Sequence, residues 1–335
     1  MKERRKPNLK LIILGGTFIM EQDSHGHLML SEEIINKLTT MLPSTKQWAS
    51  VGFELYSNIP GEWLAPHFWL EFHSWLAKTL LSPTIDAAVV IVGTDGLEEI
   101  GYFLHLTMPT RKPIVLTAAM RSITEIGSDA PLNLLDAIRV ASAPGAIGKG
   151  VLIVSNSHIY SARDVCKNDT QAIGAIESNL GPLGVVDREG VFFYREPLRR
   201  HTFSSEFATD SLNPLPRVDI CCAYAGADGA LVRSALAAGA AGIVIAALGS
   251  GNVNQELGKT LAELASRGIP IVISSQARSG RVSGIYQYPG GGGWLANAGC
   301  LFADNLSPLK ARVLLMVALQ RGLSLHELKR VFLEY

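Results

Sequence analysis

The sequence predicts an α/β fold: a larger N-terminal domain with a mostly parallel, doubly wound sheet, then a smaller C-terminal α/β domain with a parallel sheet. Three observations lead there. Short apolar runs recur along the chain and are continuous rather than alternating, as strands buried on both faces require. Helical stretches lie between several of them, and strand, helix, strand in succession specifies parallel pairing. Most runs stop in small or polar residues, which in an open parallel sheet gather in one crevice outside the carboxyl ends of the strands.

In order, the runs are "LKLIIL" (9–14), "AAVVIV" (87–92), "PIVLTAA" (113–119), "GVLIVS" (150–155), "DICCAY" (219–224), "GIVIAA" (242–247) and "PIVISS" (270–275). Helical stretches follow Gly96 and fill "APLNLLDAIRVASA" (130–143), "ALVRSALAAG" (230–239) and "LGKTLAELASRG" (257–268). The periodicity lapses between 176 and 217. There "GPLGVVDREGVFFYREPLRRH" reads as a strand, a turn and a second strand, and "TFSSEFATDSLNPLPR" as a linker rich in Ser, Thr and Pro. The expected domains are therefore 1–200, N-terminal and catalytic, and 218–335, C-terminal, with a linker over 201–217. "GGGG" at 290–293 reads as a flexible turn.

A chain of 335 residues exceeds the size at which one core stays single, which fits two domains. Apolar residues make up 47%, and 30 basic residues balance 30 acidic ones, so no global field favours nucleic acid or an anionic membrane. A small-molecule ligand is the expected partner. Cys166, Cys221, Cys222 and Cys300 show no CxxC pair and no metal-ligand spacing, as expected of reduced thiols in a cytosolic protein. The opening "MKERRKPNLKLIILGG" reads as a basic tail and a first strand, because its apolar run is too short for a signal peptide and no A-x-A site follows. No apolar run reaches the ~20 residues that span a bilayer. The expected location is the cytoplasm.

The chemistry gathers in three stretches. "LGGTF" (14–18) sets Thr17 after two glycines at the end of the first run. "VVIVGTDGLEE" (89–99) ends a buried strand in Thr94 and Asp95. "SARDVCKNDT" (161–170) places Arg163, Asp164 and Lys167 in a polar run. A threonine hydroxyl is a weak nucleophile at neutral pH and needs a base or relay. A lysine held in a closed site can serve as that base, and a neighbouring carboxylate can fix the lysine and bind a substrate's amino group. Thr, Lys and Asp together form a set able to attack an amide carbonyl.

Over nearly its whole length the sequence resembles the bacterial asparaginase/glutaminase family. "GGTF" is similar to T-G-G-T-I, and "GTDGLEEIGYFL" (93–104) to H-G-T-D-T-M-E-E-T-A-Y-F-L. "TAAMRS" (117–122) resembles G-A-M-R-P, "SDAPLNLLDAIRVA" (128–141) S-D-G-P-x-N-L, and "ARDVCKNDT" A-R-D-V-x-K-T-N-T. "GSGNVN" (249–254) resembles G-N-G-N-x, and "SPLKARVLLMVAL" (307–319) the closing helix. The resemblance implies hydrolysis of a side-chain amide, giving aspartate and ammonia through a covalent acyl-enzyme, with no metal or organic cofactor. It implies two triads: Thr17 with a loop tyrosine, and Thr94 with Lys167 and Asp95. Which threonine attacks stays open in the sequence. Backbone groups near Thr94 and Ala119 are candidates for holding the substrate. A homo-oligomer, dimer or tetramer with sites at the dimer interface, is implied as well.

The chain also departs from the pattern. The loop after Thr17, "FIMEQDSHGHLML", holds no tyrosine; His27 stands near its place, either as a hydrogen-bonding or basic group or as a solvent-facing loop residue. Ser57 and Asn58 in "LYSNIPGEW" (55–63) are the counterparts of the substrate-binding serine stretch, though Ser57 also suits an ordinary turn. The C-terminal glutamate that holds the α-amino group in periplasmic members has no match; Gln287 stands near it. Asn252 matches the Asn that reaches a neighbouring subunit's site. Two readings follow: an amidohydrolase for L-asparagine, glutamine or a related amide, or a weakly active or non-catalytic member that binds an amino-acid-like ligand as a regulatory protein.

Overall fold

The structure, a computed structural model, describes residues 5–25, 27–31, 38 and 42–335. Residues 1–4 of the basic tail and Gly26 of the loop after Thr17 lie outside the described residues. The chain divides into two compact units, Met1–Leu212 and Asn213–Tyr335.

In chain order the first unit carries β1 (Asn8–Ile13), β2 (Met20–Gln22), β3 (Leu28–Leu30), β4 (Ser50–Leu55), α1 (Pro66–Leu81), β5 (Ala87–Ile91), α2 (Leu97–Thr107), β6 (Ile114–Thr117), α3 (Ala130–Ser142), β7 (Val151–Ser155), β8 (His158–Ser161), β9 (Cys166–Lys167), β10 (Ile176–Glu177), β11 (Gly184–Val186) and β12 (Val191–Phe193). Eight of these strands form one sheet in the order β12-β11-β8-β7-β6-β5-β1-β4. Pairing is parallel from β7 through β6, β5 and β1 to β4. It is antiparallel among β7, β8, β11 and β12. The chain leaves β1 toward β4, then passes back to β5 on β1's other side and continues outward. The strand order therefore reverses at β1 and β5, and a ligand crevice opens at such a switch point.

The central strands are buried on both faces, which is why their sequences run apolar without a break. One face presents Leu11, Ile13, Val89, Ile91 and Val115 to Ala130, Leu134, Ala137 and Ile138 of α3. On the other, Gly101 of α2 sits against Leu116 and Ile153, residues of opposite pleat. Helices thus cover both faces, as the doubly wound reading requires.

The linker expected over 201–217 is corrected in its first part. Residues 202–204 form a one-turn 3-10 helix, Phe207 is fully buried, and Thr209 N–H donates to Thr107 O, so this stretch belongs to the first unit. Its polar composition hid one buried aromatic that anchors it.

The second unit carries β13 (Val218–Cys222), α4 (Ala230–Ala237), β14 (Gly242–Ala247), α5 (Gln255–Ser266), β15 (Ile271–Ser275), α6 (Gly292–Asn297), β16 (Leu301–Phe302), α7 (Pro308–Gln320) and α8 (Leu325–Glu334). Its four strands lie in sequence order, all parallel. Asn254 caps α5 by accepting from Glu256 N–H and Leu257 N–H. The glycine run is the second correction. Gly290–Gly293 are buried, and a methyl on any of them would overlap neighbouring atoms: Val253 O at Gly290, Tyr286 at Gly291, Ser283 O at Gly292, Gly284 O at Gly293. The run is a close-packed junction, and glycine is there to let backbones approach.

Two buried imidazoles in the first unit set a pH dependence. His73 Nε2 lies 3.3 Å from Thr107 O; since a carbonyl only accepts, Nε2 carries the hydrogen, and Nδ1 is buried with no partner among the described residues. Burial lowers the pKa of His73, against weaker raising contributions from the Thr107 bond and Asp210, and lowers that of His201, opposed by Glu196. A base with a depressed native pKa binds fewer protons folded than unfolded between the two values. Stability is therefore full above the ordinary value of 6.5 and is lost as pH falls below it. The thermal midpoint is expected to drop between pH 7 and pH 5, and His201→Gln to flatten that slope; an equal slope in the variant would remove His201 from the account.

Candidate active site

Three strand ends meet at the switch point. β1 runs into Gly15 and Gly16, both at positive φ, and Thr17 opens a one-turn 3-10 helix. β5 runs into Gly93, Thr94 and Asp95 before α2. Gly16 and Gly93 pack backbone on backbone, because a methyl on Gly16 would overlap the Cα of Gly93. Each threonine directly follows one of these glycines. The stretch after β4 closes the third side: Ser57 N–H and Tyr56 N–H donate to Ile13 O, Ile59 N–H donates to Leu14 O, and Gly61 Cα would lie 2.7 Å from a methyl on Gly93. The two threonine-bearing turns and the Ser57–Gly61 stretch are therefore held together by main chain. Side chains larger than hydrogen at Gly16, Gly61 or Gly93 would push them apart.

Lys167 arrives from a distant part of the chain. β9 pairs with β10, Lys167 opposite Ile176, and Lys167 N–H donates to Glu98 Oε1 at 3.0 Å. Its Nζ donates to Thr94 Oγ1 at 2.9 Å and to Asp95 Oδ1 at 2.7 Å. Thr94 is 7% exposed, the Lys167 side chain 21% and that of Asp95 58%, so the set grades from a dry hydroxyl to a wet carboxylate. Thr94 Oγ1 accepts from the amine, which leaves its own hydrogen to donate elsewhere. A hydroxyl, an amine and a carboxylate in hydrogen-bond contact can move a proton between a bound molecule and the lysine.

The other expected residues are placed as follows. Ser57 Oγ donates to Leu14 O at 2.7 Å, so its hydroxyl proton is spent on the β1 end and it can only accept from a ligand. Asn58 Oδ1 is buried with no partner among the described residues. Ala119 is buried two residues past β6; Ile91 pairs with Thr117, which carries Ala119 level with Gly93. His27 stands in the turn that joins β2 to β3, its side chain 73% exposed, with Nδ1 3.2 Å from Asp23 Oδ2 and its N–H donating to Asp23 Oδ1. An exposed pair of this kind is worth at most about 1 kcal/mol, so His27→Ala is expected to change kcat/KM by less than about fivefold; a hundredfold loss would give the imidazole a chemical part. In the second unit, Asn252 Oδ1 accepts from Gly292 N–H at 3.0 Å and holds the start of α6, while Gln287 is exposed and accepts from Asn297 Nδ2. Of the ten expected residues, the structure draws Thr94, Asp95 and Lys167 into direct bonding and sets Thr17, Ser57, Asn58 and Ala119 on the strand ends beside them.

Sequence reasoning missed Gly61, Glu98, Asp129 and Asn133. Gly61 touches both Gly93 and Gly96, on either side of Thr94 and Asp95. Asp129 accepts from Met120 N–H and Arg121 N–H, and Asn133 Nδ2 donates to Ala118 O. The stretches "LYSNIPGEW", "LEE" and "SDAPLN" contained them, with no role attached. Among the described residues no group of three or more His, Cys, Asp or Glu could hold a metal, and no helix is long and apolar enough to cross a membrane.

Residues 8–199 match the family model described as "Asparaginase, N-terminal", and 217–332 the "Glutaminase/Asparaginase C-terminal domain". The chain is 36% identical over 332 residues to the probable L-asparaginase of Deinococcus radiodurans, covering 97% of each chain. It is 32% identical over 334 residues to L-asparaginase 2 of Escherichia coli, with 98% of this chain and 93% of that one covered. A glutaminase-asparaginase of Pseudomonas fluorescens is 35% identical over 303 residues, 90% of this chain and 82% of that one. The crystal structure of a probable cytoplasmic L-asparaginase from Campylobacter jejuni superposes with a TM-score of 0.88 at 32% identity, covering 98% of this chain and all of the other. With both family models matched in order across a wound sheet of this kind, the chain belongs to the asparaginase/glutaminase family.

Proposed function

We propose that this protein hydrolyses the side-chain amide of L-asparagine to aspartate and ammonia through a threonine nucleophile. The observation that carries the reading is the bonded set of Thr94, Lys167 and Asp95 beside Thr17 at the switch point of the sheet. Thr17 Oγ adds to the amide carbon. Its proton passes by way of Thr94 to Lys167 and on to the departing nitrogen, which leaves as ammonia. Water then adds to the threonine ester, and breaking the ester bond returns the hydroxyl and frees aspartate. This division of labour is supported by Thr94 Oγ1, which is already engaged by Lys167 and so suits relaying better than attack. Asn58 Oδ1, a buried acceptor awaiting a donor, suits the substrate's ammonium group where the family's glutamate is missing.

The test is ammonia release from asparagine, glutamine and an N-blocked amide, followed by peptide mapping of an acyl-enzyme trapped at acid pH. An ester on Thr17 supports the assignment; one on Thr94 exchanges the two roles; no ammonia from any substrate at high enzyme concentration favours the regulatory binder. The proposal extends to a cytoplasmic homo-oligomer, dimer or tetramer, in which Asn252 serves a neighbouring subunit's site. A monomer by sedimentation that still turns over asparagine would overturn the shared site, and cell fractionation decides between the cytoplasm and the periplasm.

A further inference from the structure

Ala119 is flanked by two peptide planes, and side chains from the start of α3 hold both. Asn133 Nδ2 donates to Ala118 O at 2.9 Å and to Asp129 Oδ2 at 3.0 Å. Asp129 Oδ2 accepts from Met120 N–H at 3.0 Å, and Asp129 Oδ1 from Arg121 N–H at 3.0 Å. Asn133 Oδ1 in turn accepts from Asn156 N–H at 2.8 Å, which ties the end of β6 to the end of β7 and fixes which way the carboxamide faces. Asn133 is 1% exposed and Asp129 7%, so these bonds form out of water, where satisfied polar networks are stiff.

The consequence follows from peptide geometry. The described residues include no cis bond, and in a trans peptide C=O and N–H point opposite ways. Ala118 C=O is turned toward Asn133, so the N–H of Ala119 points away from it. Met120 N–H is turned toward Asp129, so the C=O of Ala119 points away from that carboxylate too. Asn133 Nδ2 and Asp129 Oδ2 bond to each other and so lie on one side; Ala119 therefore shows a donor and an acceptor together on the other. A primary carboxamide is the complement of such a pair, giving N–H to the C=O and taking N–H at its carbonyl oxygen. The β5–β6 register sets this face level with Gly93, one residue before Thr94.

We propose that Asp129 and Asn133 are positioning residues that aim the backbone donor and acceptor of Ala119 at the substrate's side-chain amide. The proposal rests on the asparaginase reading above. It separates amide from acid: an ionised carboxylate in the same place can take the N–H but has nothing to give the C=O. Loosening the Ala119 peptides therefore removes two partners from asparagine and one from aspartate.

The experiment measures asparagine hydrolysis and inhibition by the product aspartate in Asp129→Asn and Asn133→Ala, with thermal melting to verify folding. In each folded variant, kcat/KM for asparagine is expected to fall by about 100-fold, the scale of an ångström-level misplacement, while the aspartate inhibition constant rises by about tenfold or less, the scale of the one hydrogen bond it loses. Equal weakening of both would mean general damage to the site and would overturn the proposal, as would unchanged kinetics. If one variant fails to fold, the other carries the test. A wild-type protein that releases no ammonia defeats the asparaginase reading instead, and that result is read before any variant is made.

Discussion

Lys167→Met is expected to lower kcat by at least ~100-fold while leaving the fold intact, the loss that follows when a positioned proton-transfer group is removed. Methionine keeps the aliphatic length that fills the space below the amine, so packing around β9 survives. What disappears is the Nζ that bonds Thr94 at 2.9 Å and Asp95 at 2.7 Å. Asp95 is more than half exposed, so water takes over its lost ion pair and no buried charge is stranded. Thr94→Val should act similarly: it keeps the shape of a nearly buried side chain and deletes the only atom that takes part. If the two act as one unit, the double variant falls no further than the worse single one, because such effects do not add. Steady-state ammonia release measures all three. A loss below tenfold, or additive losses, would take Lys167 out of the proton path.

Gly16→Ala is the second large effect, and it acts on structure first. The residue sits at φ +90°, a region L side chains avoid, and its added methyl would overlap the main chain of Gly93. No flexible side chain stands there to yield. Strain and overlap together should cost roughly 3 kcal/mol or more, and the turns bearing Thr17 and Thr94 must separate for the methyl to fit. Chemical denaturation is expected to show the loss of stability, and activity to fall even where the variant remains folded at low temperature. Gly226→Ala is the control: it also has positive φ but open space around it, so it should bear the backbone strain without the loss of activity.

The core strands could be read from the sequence because burial on both faces writes itself as an unbroken apolar run, as in Ala87–Ile91 and Val151–Ser155. β4 could not. As the edge strand of the large sheet it is only partly buried, and "SVGFEL" carries no clear pattern. α1 escaped as well, since its aromatic-rich "PHFWLEFHSWLAKTLL" hides the spacing of Trp69, Phe72, Leu76 and Leu80 on its buried side. In the site, Thr17, Thr94 and Asp95 announced themselves as polar residues closing apolar strands. Lys167 sits on a two-residue strand in a polar stretch, where it stood out beside Arg163 and Asp164, and the resemblance tied it to Thr94 and Asp95. Asp129 and Asn133 act on backbone amides of a loop, and hydrogen bonds to backbone leave no periodicity to read.

The order of the large sheet has a consequence for how the molecule becomes active. Thr17, Thr94 and Lys167 come from strands far apart along the chain, and the bond from Lys167 to Thr94 closes over 73 residues. Contacts of such sequence separation pay their loop-closure entropy before they return anything, which makes them late and slow in folding. No local fragment can rehearse this chemistry, so regained turnover after denaturation reports completed topology, where a helix signal would report only its beginnings.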